Sequence, residues 1–237
     1  MEITENNIEF YADNILIKGV LHLPAVETPP IVIGSHGLEG SKNSAKQTIL
    51  SQLLPNNGIG YLRFDHRGCG DSHGDFLKDT SVKNRASDFI SAVKYIQKTQ
   101  NISGNIGIFG SSLGGSTCIE AFSALMQLDV KVCATVITAA PVKSKTIGTA
   151  PDLPIEFLEN MQFDLTLKTE QMSTVLIFHG KADEIVPVEN AHAIYNSVKE
   201  PRKLILFENG DHQTSLKKDQ KIFEKLTLEW FKAALCG

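Results

Sequence analysis

The sequence predicts an α/β fold: a mostly parallel central sheet with an antiparallel hairpin at its N-terminal edge and helices on both faces. Short apolar runs alternate with longer amphipathic segments, the pattern of strands buried on both faces under covering helices. The 237 residues are 42% hydrophobic, enough for one large core, and no Pro/Gly/Ser-rich linker or shift of composition divides them. Polar, glycine-containing motifs follow directly on several of the apolar runs, as expected where an open sheet collects its functional groups at the carboxyl ends of its strands.

The N-terminal runs Ile8 to Tyr11 and Ile15 to Leu23, joined at Asp13-Asn14, read as the antiparallel hairpin. Parallel strands follow at Ile31 to Ser35, Gly60 to Phe64, Ile106 to Phe109, Val132 to Thr138, Val175 to Phe178 and Lys203 to Phe207. Helices are predicted near Lys42 to Leu54, Val82 to Lys98, Ser112 to Met126, Val188 to Val198 and Thr214 to Leu235. With one core and no dividing linker, residues 1–237 are read as a single domain, with a small cap-like excursion at 142–173; there is no internal repeat.

Composition narrows the function classes. The net charge of −4 and pI near 6.0, with scattered Lys and Arg, supply no basic face for nucleic acid, which is not an expected partner. The N-terminus has no basic stretch leading into an apolar run, and no run approaches the ~20 residues of a membrane span. A soluble, cytoplasmic protein is expected. Cys69, Cys118, Cys133 and Cys236 form no C-x-x-C pair, so neither a disulfide framework nor a zinc cluster is expected. No cofactor and no metal are predicted, and the sequence is silent on oligomeric state.

Gly110-Ser111-Ser112-Leu113-Gly114 lies between the Ile106 to Phe109 run and a helix-like stretch. It reads as a nucleophile elbow, a sharp strand-to-helix turn that holds a serine at its apex in a strained conformation, with flanking glycines where side chains would collide. The alternative is an ordinary helix N-cap serine. A serine hydroxyl is a weak nucleophile and needs a base within hydrogen-bond reach, and the base needs a buried acid. Ser35-His36-Gly37-Leu38, Asp65-His66-Arg67-Gly68, His179-Gly180-Lys181-Ala182-Asp183 and Gly210-Asp211-His212 also follow predicted strands, so all should meet on one rim. Ser112, Asp183 and His212 occur in the chain order Ser, acid, His. An oxyanion formed on attack requires backbone donors, the first expected at Leu113, just after the nucleophile at a helix N-terminus.

In combination, Gly-x-Ser-x-Gly at 110–114, His-Gly-Lys-x-Asp-x-x-Val-Pro at 179–187 and the Gly210-Asp211-His212 turn resemble the α/β-hydrolase superfamily over nearly the whole chain. The nearest resemblance is to small esterases and lipases related to serine aminopeptidase-like and feruloyl-esterase-like hydrolases. It implies Ser112 as nucleophile, Asp183 as acid and His212 as base, with Leu38 N–H, after His36-Gly37, as second oxyanion donor. Glu184 competes with Asp183, and His36, His179 and His192 compete with His212; His36 and His179 follow strands and are read as loop-orienting, and His192 falls in a helix. Asp211 is expected to point elsewhere.

Asp65 to Ser72 resembles the family's Asp-x-Arg-Gly-x-Gly-x-Ser loop and is read as architectural, Arg67 bracing neighbouring loops, with substrate contact by Arg67 as the alternative. Cys69 and Cys118 would be rival nucleophiles in a dienelactone-hydrolase-like enzyme, which carries Cys at the elbow; here the elbow carries Ser112. In the excursion, Asp152 is expected to cap a short helix with Pro154 near its first turn. Phe157, Leu158 and Met161, together with Ile155, either roof an apolar substrate pocket or pack on the core. The expected activity is that of a carboxylesterase on small or medium uncharged esters, rising through roughly pH 6 to 7 because a histidine base must be neutral. A thioesterase, an aminopeptidase using Glu156 and Glu159 to hold the substrate amine, and a non-catalytic binding module are the alternatives.

Overall fold

Alternation along the apolar runs is realised as an eight-stranded sheet in a computed structural model that describes residues 2–144 and 153–237. The strands are β1 (Ile3–Ala12), β2 (Ile15–Pro24), β3 (Ile31–Ser35), β4 (Gly60–Phe64), β5 (Ile106–Ser111), β6 (Val132–Thr138), β7 (Val175–Gly180) and β8 (Arg202–Phe207). Their spatial order is β1-β2-β4-β3-β5-β6-β7-β8. The β1–β2 and β2–β4 pairings are antiparallel, and the remaining six strands run parallel. The helices are α1 (Ala45–Leu53), α2 (Phe76–Asp79), α3 (Val82–Thr99), α4 (Leu113–Gln127), α5 (Ile155–Asn160), α6 (Thr166–Thr169), α7 (Glu189–Ser197) and α8 (Lys217–Leu235).

Period-2 alternation sorts strand residues between two cores. Ile31, Ile33, Ile106 and Ile108 point to the face covered by α3, α4 and α7, where Phe89, Ile119 and Ile194 pack. Val32 and Phe109 point to the other, against Leu50 of α1 and Phe223 and Phe231 of α8. Gly107 alternates in step: a Cβ there would stand 2.8 Å from the Phe231 ring. Each fully buried Leu, Ile, Val or Phe contributes roughly 1.5–3 kcal/mol of transfer free energy, so both faces favour this register over a one-residue slip.

The predicted element types hold, and the boundaries move for identifiable reasons. β1 begins five residues earlier than expected, because Ile3 to Asn7 form an edge segment whose polar side chains stay mostly exposed while the backbone pairs with β2. Asp13 and Asn14 both take positive φ (49° and 65°), as the tight hairpin turn requires. α1 starts at Ala45 rather than Lys42, since Lys42 is held in the preceding loop by Asp65. α8 starts at Lys217 rather than Thr214, because Thr214 takes φ 60° and cannot lie in a right-handed helix. The short α2 and α6 had no periodic signal to announce them. The predicted cap at Asp152 lies outside the described residues; α5 itself begins with Pro154 at its N-cap position.

β3 lies between β4 and β5, so the chain winds one way from β3 to β4 and returns to the opposite side for β5. The carboxyl ends of β3 and β5 therefore flank the switch point, where a crevice opens in sheets of this topology. Ser35 pairs with Gly110 there, and Ser111 pairs with Thr138.

Candidate active site

The turn from β5 to α4 is built around Ser112, whose φ of 55° and ψ of −126° are costly for a residue with a side chain. Such strain persists only where neighbours over-determine it. Its N–H is held by the Thr138 carbonyl at 2.8 Å. A Cβ on Gly110 would lie 2.3 Å from the Gly114 carbonyl oxygen, and one on Gly114 would lie 2.1 Å from that of Ser35, so both flanking glycines are required. Ser112 occupies the N-cap position of α4, yet its side chain caps nothing. The hydroxyl is turned instead to His212 Nε2 at 3.0 Å.

His212 Nδ1 lies 2.8 Å from Asp183 Oδ2. The consistent assignment is Nδ1–H donating to the carboxylate and Nε2 accepting from the Ser112 hydroxyl. Asp183 Oδ1 accepts the N–H groups of Ile185 and Val186, both at 2.9 Å, which leaves Oδ2 aimed at His212. The Asp183 carboxylate is shielded from solvent. Burial pushes its pKa upward, but hydrogen bonds from His179, His212 and the Val186 N–H prevail and hold it well below the usual carboxylate range. The two loops touch backbone to backbone: a Cβ on Gly180 would meet the Gly210 carbonyl oxygen at 2.0 Å. The glycines of both motifs are thereby explained.

The competing residues are placed elsewhere. Glu184 is exposed, and Asp211 turns back to accept the Ser215 N–H at 2.8 Å. His192 is exposed on α7. His179 is buried, its Nε2 2.7 Å from the Val186 carbonyl oxygen and 3.4 Å from Asp183 Oδ2, so it supports the acid loop. His36 donates from Nδ1 to the Gly37 carbonyl at 2.7 Å and accepts the His66 N–H at Nε2, a neutral loop-holding role. Burial first, then the Arg85 charge, lowers its pKa well below the ordinary histidine value.

Leu38 and Leu113 follow Gly37 and Ser112, and a Cβ on Gly37 would stand 3.4 Å from Ser112 Cβ, so the β3 loop passes directly beside the elbow. Neither the Leu38 nor the Leu113 backbone N–H has a hydrogen-bond partner among the described residues. Arg67 donates through Nε to Asp88 Oδ1 at 2.8 Å and through Nη2 to Asp13 Oδ2 at 2.8 Å, tying the loop after β4 to α3 and to the N-terminal hairpin. Cys69 is buried and Cys118 fully so, and burial raises the pKa of both thiols above the ordinary cysteine value, keeping them protonated at neutral pH.

Arg85 escaped the sequence reading. It is completely buried on α3, and its Nη2 donates to the carbonyl oxygens of His36 and Gly37, clamping the loop that carries Leu38. The local sequence shows only a charged residue on a helix face that also buries Val82, Ala86, Asp88 and Phe89. Of the predicted pocket residues, Phe157 and Met161 are buried in the larger core, Phe157 stacked on Phe76 with centroids 5.5 Å apart, while Leu158 is partly exposed. Glu156 and Glu159 are exposed on α5. Among the described residues, no cluster of three His, Cys, Asp or Glu side chains is arranged to hold a metal ion, and no helix is long and apolar enough to cross a membrane.

With this geometry in view, the likenesses to known proteins are informative. A family model described as serine aminopeptidase, S33, matches residues 27–162, more than half of the chain, a stretch that includes Leu38 and Ser112 and ends before Asp183 and His212. The uncharacterized protein YfhR of Escherichia coli K12 is 24% identical over 190 residues, covering 80% of this chain and 65% of YfhR, so the chain spans just under two thirds of that relative. Thiohydrolase aneE of Aspergillus aculeatus is 29% identical over 139 residues, covering 56% of this chain and 42% of that protein. Among solved structures, Est1E from Butyrivibrio proteoclasticus, with ferulic acid bound, superposes with a TM-score of 0.83 at 20% identity over 97% of this chain and all of Est1E.

Proposed function

The chain belongs to the serine aminopeptidase S33 family of α/β hydrolases, and from that premise we propose that it is a serine hydrolase that cleaves carboxylic esters through an acyl-enzyme on Ser112. The observation that carries the reading is the unbroken relay from Ser112 Oγ through His212 to Asp183, at 3.0 and 2.8 Å. His212 takes the hydroxyl proton as Oγ adds to the substrate carbonyl, Asp183 stabilises the imidazolium, and the Leu38 and Leu113 N–H groups receive the oxyanion. His212 then passes its proton to the departing alkoxide. Water repeats the sequence on the acyl-enzyme, returning Ser112 and releasing the acid. The excursion at 142–173 is proposed as a small cap over the acyl side of the site, with Ile155 and Leu158 among its exposed apolar side chains.

Labelling with a fluorophosphonate tests this directly. Wild type is expected to form an adduct that maps to Ser112, and Ser112→Ala and His212→Ala are expected to form none, with ester hydrolysis lost by at least about 10⁴-fold in kcat. A folded wild-type protein that takes no label would overturn the proposal in favour of a binding role. Thioester cleavage uses the same groups and is the second reading, favoured by the similarity to thiohydrolase aneE. A higher kcat/KM on acyl-CoA than on p-nitrophenyl esters would put it first.

A further inference from the structure

Lys46 belongs to none of the motifs, yet its position is costly in two ways. It lies in the first turn of α1, where the helix dipole disfavours a cation, and the residue is only 9% exposed. A side chain held against both costs must have a partner that repays them. Its Nζ donates to the backbone carbonyl oxygen of Gln213 at 2.8 Å, the residue immediately after His212. Between Gly210 and Leu216 the loop is also held by its own turn, Thr214 N–H to Asp211 O and Ser215 N–H to Asp211 Oδ1, by Gly210 N–H on Phe207 O and Ala182 N–H on Gly210 O, by His212 on Asp183 and Ser112, and by Gln220 Nε2 on Ser215 O from the α8 side. Among the described residues, Lys46 supplies the one side-chain bond that reaches a backbone group of this loop from the β3 side of the site.

The surroundings isolate this contact. β4 and α8 pack against α1. On β4, Tyr61 is committed to Gln47, and Arg63 to His22 and Asn43. On α8, the first turn carries the buried Asp219 and the exposed Lys217 and Lys218. The charges that act on Lys46 are those of Asp211 and Asp183, from the loops after β8 and β7. Burial lowers its pKa to about 8 against the upward pull of these two carboxylates.

We propose that Lys46 is a positioning residue: by donating to the Gln213 carbonyl it ties the His212 loop to α1, and so to the loop carrying Leu38, keeping the imidazole in register with Ser112. The inference rests on the hydrolase reading for its catalytic consequence but not for the contact itself. As pH rises through about 8 the ammonium becomes a neutral amine, a weaker donor to the carbonyl, so the tie loosens on the alkaline side. A declining alkaline limb is the consequence.

The test compares wild type, Ser112→Ala, Lys46→Met and Lys46→Arg by amide hydrogen exchange across 208–216 and by the pH dependence of fluorophosphonate labelling. Lys46→Met is expected to speed exchange at 210–214, to slow labelling of Ser112 about tenfold at pH 7, and to lack the alkaline decline. Lys46→Arg, which keeps its charge, is expected to recover labelling to within about threefold and to carry the decline to higher pH. Wild-type exchange and labelling in Lys46→Met, faster labelling in it, or a Lys46→Arg variant no better than Lys46→Met would overturn the proposal. If wild type shows no Ser112-dependent labelling, the hydrolase reading falls on that arm, and unchanged loop exchange in Lys46→Met would bring down the positioning role separately.

Discussion

The two halves of the candidate site's rim are held by opposite means. Beneath the loops after β3 and β4 lies a largely buried polar scaffold: Lys42 bridges the buried Asp65 and the exposed Asp71, Arg67 bridges the buried Asp88 and the exposed Asp13, His66 joins Ser35 to Asp88, and Arg85 clamps the His36 and Gly37 carbonyls. The loops after β7 and β8 carry Asp183 and His212 on short turns, with glycine against glycine and few side-chain ties. In the mechanism proposed above, the scaffolded half supplies the backbone donors, whose aim must not drift, and the sparser half supplies the groups that exchange a proton. Buried charges hold position well when every one is paired and become liabilities when one partner is lost.

Asp88 offers the largest break in that comparison. Its carboxylate accepts from Arg67 Nε and N–H and faces His66 Nδ1. Asp88→Ala is expected to cost about 3–5 kcal/mol of stability by leaving Arg67 and His66 short of a partner, read as a lowered urea midpoint with an unchanged m-value. Ser112 labelling in the fraction that remains folded is expected to continue. A loss below about 1 kcal/mol would mean the scaffold is solvated and not a source of rigidity.

Acid sharpens the same contrast. Burial, then the charge of Arg85, lowers the pKa of both His36 and His66 well below the ordinary histidine value, so both are neutral in the folded chain. The unfolded chain takes up these protons below about pH 6.5 while the folded one does not, so stability is full above that pH and falls beneath it. Between pH 7.5 and 5.5 the expected loss is up to about 1.4 kcal/mol for each histidine. Asp183, held low, stays ionised throughout this window and contributes no change. Thermal unfolding at the two pH values measures the loss, and His66→Gln should remove part of it.

Legibility followed the same division. The elbow, the acid turn and the histidine turn each combine a glycine with a reactive group just after an apolar run, and backbone contact makes those glycines obligatory at Gly110, Gly114, Gly180 and Gly210. Such a constraint leaves a mark in local sequence. Arg85 and Lys46 left none, because each acts on a carbonyl 48 or 167 residues away and the local pattern reports only a charge on a helix. The first residues of edge strand β1 carry no strand pattern for a related reason: they are ordered by ladder bonds to β2, which any side chain permits. The short helices α2 and α6, of four residues each, are too brief for a 3.6-residue period to register.

The smallest expected effect bears on the elbow itself, where the two halves meet. Ser112 sits at φ 55° with its N–H fixed by Thr138 and its neighbours closed in by Gly110, Gly114 and Ser35. Alanine keeps a Cβ and so keeps the strain, whereas glycine relieves it and loses some stability to the greater freedom of its unfolded chain. Ser112→Gly is therefore expected to be more stable than Ser112→Ala by about 1 kcal/mol, both variants being inactive. Equal unfolding midpoints for the pair would show that the strain relieved by glycine does not exceed the freedom its unfolded chain gains, and would move the source of rigidity at Ser112 to the buried scaffold.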